Sequence, residues 1–380
     1  MDKKVYYLGY YDINENKALN RNICLAATNK MSYIISALEK QGYSVNVISA
    51  SVKQNGQAQK KETISIGKKS TLTFLNSMKK GNKIKRFLNI YYTRLQLYKY
   101  IKDNVGENDT LIVYHALAYA KMISKLKKKK KFKLVVELEE IYADVIQKEK
   151  VRKKEYDFFQ LADAYIFPTE LLNDKINTNN KPYSIIYGTY QIEEKKNSIF
   201  NDDKIHVAYT GTFMLDKGVL TAINSAKYLD EKYHLHILGF GKKSDTDTVI
   251  DEINKISQTS KCKLTYDGLL SGDDYISFLQ SCHIGLSPQS NQATFNETSF
   301  PSKVLSYLSN GLRVVSIRIK SIECSRLNEV IYFFDENSGE SLSKAIMEID
   351  INAPYDSRKI IKSLDVKFME DIKNLLEKLE

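Results

Sequence analysis

The sequence predicts an α/β chain made of two doubly wound parallel-sheet domains in tandem. Short apolar runs alternate with helix-length segments along the chain, the pattern of successive βαβ units. Residues 191–204 are polar and charged, lack apolar periodicity and interrupt that alternation near its middle. The length agrees, since 380 residues, 43% of them hydrophobic, divide more naturally into two cores than one. The expectation is therefore an N-terminal domain over 1–190, a linker over 191–204, a C-terminal domain over 205–356, and C-terminal helices over 357–380 packing back toward the first domain.

In chain order, residues 5–10 read as a buried strand, followed by a polar loop with Asn14, Asn16, Asn20 and Asn22 that lasts to about Ala27. A loop of that length is a functional candidate. Thr28-Asn29-Lys30 can cap a helix whose Met31, Ile34, Ile35 and Leu38 share a face, and Gly42 ends it before a strand at 45–48. Residues 60–102 are strongly basic, with Lys68, Lys69, Lys79, Lys80, Lys83, Lys85 and Arg86 interleaved with Leu72, Phe74, Leu75, Met78, Ile84, Phe87 and Leu88. This is either a solvated helix face over a core or a surface that docks on anionic lipid. Strands follow at 111–114, with His115 past the end, and at 132–136, which delivers Glu137, Glu139 and Glu140 where open α/β sheets hold ligands. A helix between them runs from about Ala118 into the lysines of 127–131. Further strands at 164–167 and 184–187 close the first half.

The second half repeats the alternation, with strands at 205–209, 234–238, 263–266, 283–287 and 313–317 and a capping box at Ser271-Gly272-Asp273-Asp274. Residues 357–380 read as one or two amphipathic helices with Ile360, Ile361, Leu364, Phe368, Ile372, Leu375 and Leu379 on the apolar side.

Bulk charge narrows the partners. Fifty-seven Lys and Arg against 46 Asp and Glu leave a formal charge of +11, which suits an anion: nucleic acid, a membrane surface or a phosphorylated substrate. Cys24, Cys262, Cys282 and Cys324 are far apart and lack CxxC spacing, so reduced thiols are expected and neither a zinc site nor a disulfide framework. The N-terminus lacks a long apolar h-region and no run of about 20 apolar residues occurs, so no signal peptide or membrane span is expected.

Two stretches gather anion-binding chemistry. In Tyr209-Thr210-Gly211-Thr212-Phe213-Met214-Leu215-Asp216-Lys217-Gly218 an apolar strand enters a glycine turn and then a helix. The free N–H groups of that helix start and the Lys217 ammonium converge on one spot suited to a phosphate. Thr298-Ser299-Phe300-Pro301-Ser302-Lys303 repeats the device with hydroxyls, a helix start and a second lysine, followed by Ser306, Gly311 and a strand. Two anion sites in one domain fit a diphosphate. Gly239-Phe240-Gly241 is a close-approach turn rather than a dinucleotide fingerprint, because Ser244 holds the third small position. His234 and His236 share a strand face and form half of a metal site at most. No third ligand is visible near them in sequence, so they read as core residues and no metal is assigned.

The ordered set of motifs resembles the retaining, nucleotide-sugar-dependent glycosyltransferases of the large family 4 type (group 1), across essentially the whole chain. Gly211-Thr212 with Lys217-Gly218 matches the Gly-Arg…Lys-Gly diphosphate motif, Leu238-Gly239-Phe240-Gly241 the Gly-x-Gly turn, and Asp267-Gly268 a strand end. Phe300-Pro301-Ser302-Lys303, Tyr307-Leu308 and Gly311 match the Pro-x-Lys helix and its exit, while Asn29-Lys30 and Gly42-Tyr43-Ser44-Val45 resemble the family's first helix. The chain departs from the pattern at four places. The Glu-x7-Glu pair falls on Thr298 and Ser306 with Glu297 adjacent, Thr212 replaces an arginine, and the first-half histidine falls near Glu139.

The resemblance implies two Rossmann-like domains facing across a cleft (GT-B) and glycosyl transfer with retention from a nucleoside-diphosphate sugar, UDP- or GDP-linked, with no cofactor or metal required. It implies Lys217, Glu297, Lys303, His115 and Glu139 as catalytic residues. Donor-binding positions are Gly211, Thr212, Lys217, Gly239, Gly241, Thr298, Ser299, Phe300, Pro301, Ser302, Lys303 and Ser306. His115, Glu139 or Glu140 would orient the acceptor, with solvated or structural roles open for each, and Asn29 and Lys30 lie on the acceptor side. A lipid-linked saccharide acceptor in capsule, exopolysaccharide or O-antigen assembly is expected. So is a cytoplasmic protein peripheral to the anionic inner membrane face, with homo-oligomerisation open. Two readings of other classes stand beside it: a non-catalytic partner subunit, motivated by the missing glutamates, and a basic nucleic-acid-binding protein, motivated by the charge and 26 tyrosines.

Overall fold

The computed structural model describes residues 3–13, 21–53, 57–79, 81–146, 148–196, 199–214, 217–290 and 298–380. The chain forms two compact units. Unit 1 comprises Met1–Pro168, Leu172–Thr189 and Lys367–Glu380; unit 2 comprises Thr169–Leu171 and Tyr190–Val366.

Unit 1 is an eight-stranded sheet of β1 (Lys4–Gly9), β2 (Ser44–Ser49), β3 (Glu62–Ser65), β4 (Thr71–Phe74), β5 (Thr110–Tyr114), β6 (Lys133–Glu137), β7 (Ala164–Phe167) and β8 (Tyr183–Ile185), in the order β3-β4-β2-β1-β5-β6-β7-β8. All pairings are parallel except β3 with β4. Parallel strands need covered faces, and both are covered here. Tyr6, Leu8, Leu111, Val113, Leu134 and Val136 enter one core cluster, while the alternate residues Val5, Tyr7, Ile112 and Val135 are equally buried. The crossovers include α1 (Leu25–Lys40), α2 (Lys83–Asn104), α3 (Leu117–Lys130), α4 (Tyr142–Ile146), α5 (Glu149–Phe159) and α6 (Glu170–Ile176).

Unit 2 is a six-stranded, all-parallel sheet of β9 (Ile205–Thr212), β10 (Tyr233–Phe240), β11 (Lys263–Gly268), β12 (Ile284–Ser287), β13 (Arg313–Ile317) and β14 (Ile331–Phe334), in the order β11-β10-β9-β12-β13-β14. Its helices include α7 (Val219–Ser225), α8 (Lys243–Ser257), α9 (Gly272–Ser281), α10 (Ser302–Ser309), α11 (Lys320–Glu323) and α12 (Gly339–Met347). The strand order reverses between β9 and β12, the switch point where such sheets open a crevice at their carboxyl ends. Residues 357–380 contain one helix, α13 (Ser357–Glu377), whose final turns belong to unit 1, where Phe368 packs on Tyr33 with ring centroids 5.6 Å apart.

Several local expectations are corrected. The first helix starts at Leu25 with Cys24 at the N-cap, and Thr28-Asn29-Lys30 lies inside it. Thr28 falls three residues before Met31 and seven before Ile35, so it packs inward on the same face instead of capping. Residues 60–102 are not one basic amphipathic surface. Leu72 and Phe74 are buried in β4, which pairs with β3 in a hairpin at the sheet edge, and the exposed large apolar residues of α2 run only from Ile84 to Leu95. Gly211-Thr212 belongs to β9 rather than to a loop. Ser271 is the N-cap of α9 but its side chain makes no capping hydrogen bond. β14 adds a strand beyond the expected five. Asn14, Asn16 and Asn20 of the polar loop lie outside the described residues.

Candidate functional site

The site grows out of two adjacent strand ends. β9 and β10 run in register, so Gly211 faces Gly239 and Thr212 faces Phe240. Both glycines have positive φ, +144° and +147°. A Cβ on Gly239 would stand 1.8 Å from the Gly211 carbonyl oxygen, and one on Gly211 would stand 2.7 Å from Lys303 Cε. Only glycine lets the strands turn there and leaves room for the lysine above them. Gly218, at the N-cap of α7 with φ +80°, is equally constrained, since its Cβ would meet the Pro288 carbonyl oxygen at 1.7 Å.

These turns floor a cavity of about 560 Å³ at the switch point, closed by the end of β12 at Ser287 and by the first turn of α10. The α10 N-terminus carries no side-chain cap, so its first N–H groups remain available to a ligand. Lys303 extends from that turn over Gly211, with its ammonium 3.7 Å from the centroid of the Tyr209 ring. Tyr209 is held in turn by a hydrogen bond from its hydroxyl to the Lys217 carbonyl, 3.2 Å long. Tyr307, buried behind the floor, accepts from the Thr210 N–H at 3.0 Å and donates to the Leu286 carbonyl at 3.2 Å, locking β9 to β12. Gly285 makes space for that ring, because a Cβ there would lie 2.3 Å from it.

The electrostatics are one-sided. Among the described lining residues Lys217 and Lys303 are cationic, no carboxylate is present, and hydroxyls of Thr210, Thr212, Tyr275, Ser299, Ser302 and Ser306 supply the polar surface. Burial, reinforced by the nearby Lys217 charge, pushes the Lys303 ammonium down to about 7. A bound anion reverses that imbalance. Leu238, Phe240, Leu269 and Leu270 form an apolar wall, and Phe240 and Leu269 are themselves exposed, at 54% and 63%.

The structure gathers most of the donor-side residues singled out from the sequence. Gly211, Thr212, Lys217, Gly239, Ser299, Phe300, Pro301, Ser302, Lys303 and Ser306 all line this cavity. Gly241 and Thr298 do not: Gly241 lies against Phe213, where a Cβ would come within 2.9 Å of the Phe213 Cβ, and Thr298 is buried. Glu297 lies outside the described residues. Tyr275, Leu269 and Leu270 were missed, while Tyr209, Tyr307, Leu238 and Phe240 stood inside the quoted motifs with no role assigned. Leu269-Leu270, two large apolar residues in a turn after Gly268, carried the one available signal.

In unit 1 the acceptor-side expectations change. His115 is 2% exposed, its Nε2 2.7 Å from Glu155 Oε1 and its ring between Phe158 and Phe159, so it is a core residue out of reach of a substrate. Glu155 also accepts from the N–H groups of Tyr142 and Ala143 and thereby starts α4. Lys30 is buried and its ammonium lies 2.5 Å from Glu139, so each neutralises the other. Glu137 beneath them accepts a hydrogen bond from the Tyr7 hydroxyl, and burial together with the Glu139 charge pushes it up to about 8. Glu140 is half-buried and raised by burial and Glu139. Asn29 is exposed. A separate cavity of about 260 Å³, with Tyr10, Asn22, Ser49, Ser51 and Arg94 in its wall, lies at the carboxyl ends of β1 and β2. Among the described residues no helix is long and apolar enough to cross a membrane.

No protein-family model matches the sequence, and no curated protein matches it. Solved structures match over the whole chain. An E. coli trehalose-6-phosphate structure bound with UDP-2-fluoro glucose superposes with a TM-score of 0.69 at 9% identity, covering 99% of each chain. HepE from Anabaena in complex with UDP gives 0.65 at 9% identity, over 99% of this chain and 100% of that one. An α,α-trehalose-phosphate synthase (UDP-forming) from Burkholderia xenovorans in complex with glucose-6-phosphate gives 0.64 at 10% identity, over 99% of each. At such identities the likeness is one of fold, and the fold is the two-domain GT-B architecture.

Proposed function

We propose that this chain is a glycosyltransferase that takes its sugar from a nucleoside-diphosphate sugar, with UDP as the carrier. The observation that carries the reading is the switch-point cavity, where two lysines, a helix N-terminus without a side-chain cap and a glycine floor converge and the described lining residues include no carboxylate. The solved structures of like fold that hold UDP or a UDP-sugar support the choice of carrier. In the reaction the bond from the sugar C1 to the diphosphate oxygen breaks and a bond from C1 to an acceptor hydroxyl oxygen forms on the same face, with retention. The acceptor proton leaves with the diphosphate. Negative charge grows on the departing oxygen, and Lys217, Lys303 and the α10 N–H groups face that charge. The exposed Phe240 and Leu269 are suited to cover the base, and Ser306 offers the ribose one hydrogen bond where a glutamate would offer two.

Calorimetric titration with UDP tests the reading. One equivalent should bind, more tightly than GDP, and the affinity should fall as pH rises above about 7, approaching about tenfold per pH unit. The sign follows from Lys303: the free protein loses that proton near 7, the complex keeps it, and binding at higher pH must take a proton up. The terminal phosphate of UDP, with a second pKa of about 6, is already mostly ionised at pH 7 and adds little to the trend above it. Absence of binding, or affinity that rises with pH, rejects the proposal; tight binding without donor turnover favours the non-catalytic partner subunit.

The acceptor is proposed to be a lipid-linked saccharide at the cytoplasmic face of a membrane, in surface polysaccharide assembly. The first half of α2 supports this, since Ile84, Phe87, Leu88, Tyr91 and Leu95 are exposed on a helix that begins with Lys83 and Lys85. The protein should sediment with vesicles containing anionic lipid and be released by salt, and Phe87→Glu should weaken the association. Equal binding to purely neutral vesicles would remove the electrostatic component.

A further inference from the structure

Four of the chain's five histidines lie in unit 2, and three of them meet: His206 on β9 and, 28 and 30 residues later, His234 and His236 on β10. β9 and β10 pair so that His206 is the cross-strand neighbour of His234, with His236 two residues along the same face. All three are buried, at 2%, 5% and 2% exposure. One ring nitrogen from each lies within 4.8 Å of the others.

Their outer hydrogen bonds determine which nitrogens carry protons. His206 Nε2 lies 2.7 Å from Asp202 Oδ1, and His236 Nδ1 lies 3.1 Å from Asp267 Oδ2, so each ring gives its proton outward to a carboxylate. The Thr265 hydroxyl donates to Asp267 at 2.8 Å, which leaves its oxygen to accept from His234 Nε2 at 3.0 Å. The inner nitrogens are then His206 Nδ1, His236 Nε2 and His234 Nδ1, all with lone pairs. The first two face each other at 2.8 Å, a repulsive arrangement for two acceptors, and the third is buried without a hydrogen-bond partner. Two of the three rings thus have a carboxylate on the outer nitrogen and the third a hydroxyl, the outer support found around metal-binding imidazoles. Phe200, stacked 3.8 Å from His206, and Phe278, edge-on to His236, enclose the group in apolar surface.

We propose that His206, His234 and His236 bind a divalent first-row transition ion of the zinc type. Imidazole nitrogens suit that class of ion. Ligands about 2.0–2.1 Å from a tetrahedral centre stand about 3.3 Å apart, so His206 and His236 separate by about 0.5 Å on loading. The ion cross-links the amino ends of β9 and β10, the two strands whose opposite ends carry Gly211 and Gly239. It is a structural staple beneath the cavity and takes no part in the transfer.

The test uses the full untagged chain stripped with chelator. Zn²⁺ titrated against a chromophoric competitor should fill about one site per chain and raise the melting temperature. Co²⁺ in its place should show visible ligand-field bands without a thiolate charge-transfer band. His206→Gln and His234→Gln should each abolish stoichiometric uptake. Asp267→Asn should weaken it about 10–100-fold. His283→Gln, outside the three, should leave it intact. No uptake by the wild-type chain, thiolate bands from Cys24 or Cys324, or unchanged affinity in folded His206→Gln would each overturn the proposal. Should the glutamine variants fail to fold, the ligand signature of the Co²⁺-loaded wild type decides.

Discussion

Lys303→Met is expected to lower donor turnover by on the order of 10²–10³-fold without loss of folding. Methionine keeps the length of the stem over Gly211 and its contact with the Tyr209 ring, and removes the charge. The lost interaction is one that strengthens as the diphosphate departs, so kcat should fall more than KM rises. The same variant carries a stability signature. The unfolded lysine holds its proton to about 10.5 while the folded one releases it near 7, so between those values the unfolded chain binds more protons and wild-type stability rises with pH through this group. In Lys303→Met that contribution to the slope disappears, and the variant should melt no lower than the wild type at neutral pH. Unchanged kcat, read as release of UDP from a UDP-sugar, would take Lys303 out of the mechanism.

Gly239→Ala should cost about 2–4 kcal/mol of stability and abolish UDP binding. Two effects add: the positive φ of +147°, and a Cβ placed 1.8 Å from the Gly211 carbonyl oxygen, where backbone rather than a flexible side chain must move. Gly268→Ala separates them. Gly268 has φ +77° with nothing within 4 Å of its Cβ, so only conformational strain applies and about 1–2 kcal/mol is expected. Urea unfolding of both variants checks the difference; equal losses would show that the β9–β10 approach is not under steric control.

These residues also mark where sequence reading stops. Alternation of apolar runs with helical segments is a local property, so the two α/β units and most of their strands were legible, as were glycines and lysines at strand-to-helix turns. Thr28 was misread as a cap because hydroxyls serve both caps and cores, and only the phase of the buried face tells them apart. For His115, past a strand end, the sequence leaves an acceptor-orienting and a structural role equally open. Its burial depends on Glu155, Phe158 and Phe159, which arrive from a helix some forty residues later.

The sequence by itself determined the fold class and the glycine- and lysine-bearing turns that line one cavity, because periodicity and turn chemistry are written in neighbouring residues. Only the tertiary structure decided that Lys303 lies over Tyr209, that Lys30 is spent on Glu139, and that His206 joins His234 and His236. Each of those pairs is set by strand register and crossover packing, and a register carries no sign of itself in the residues on either strand taken alone.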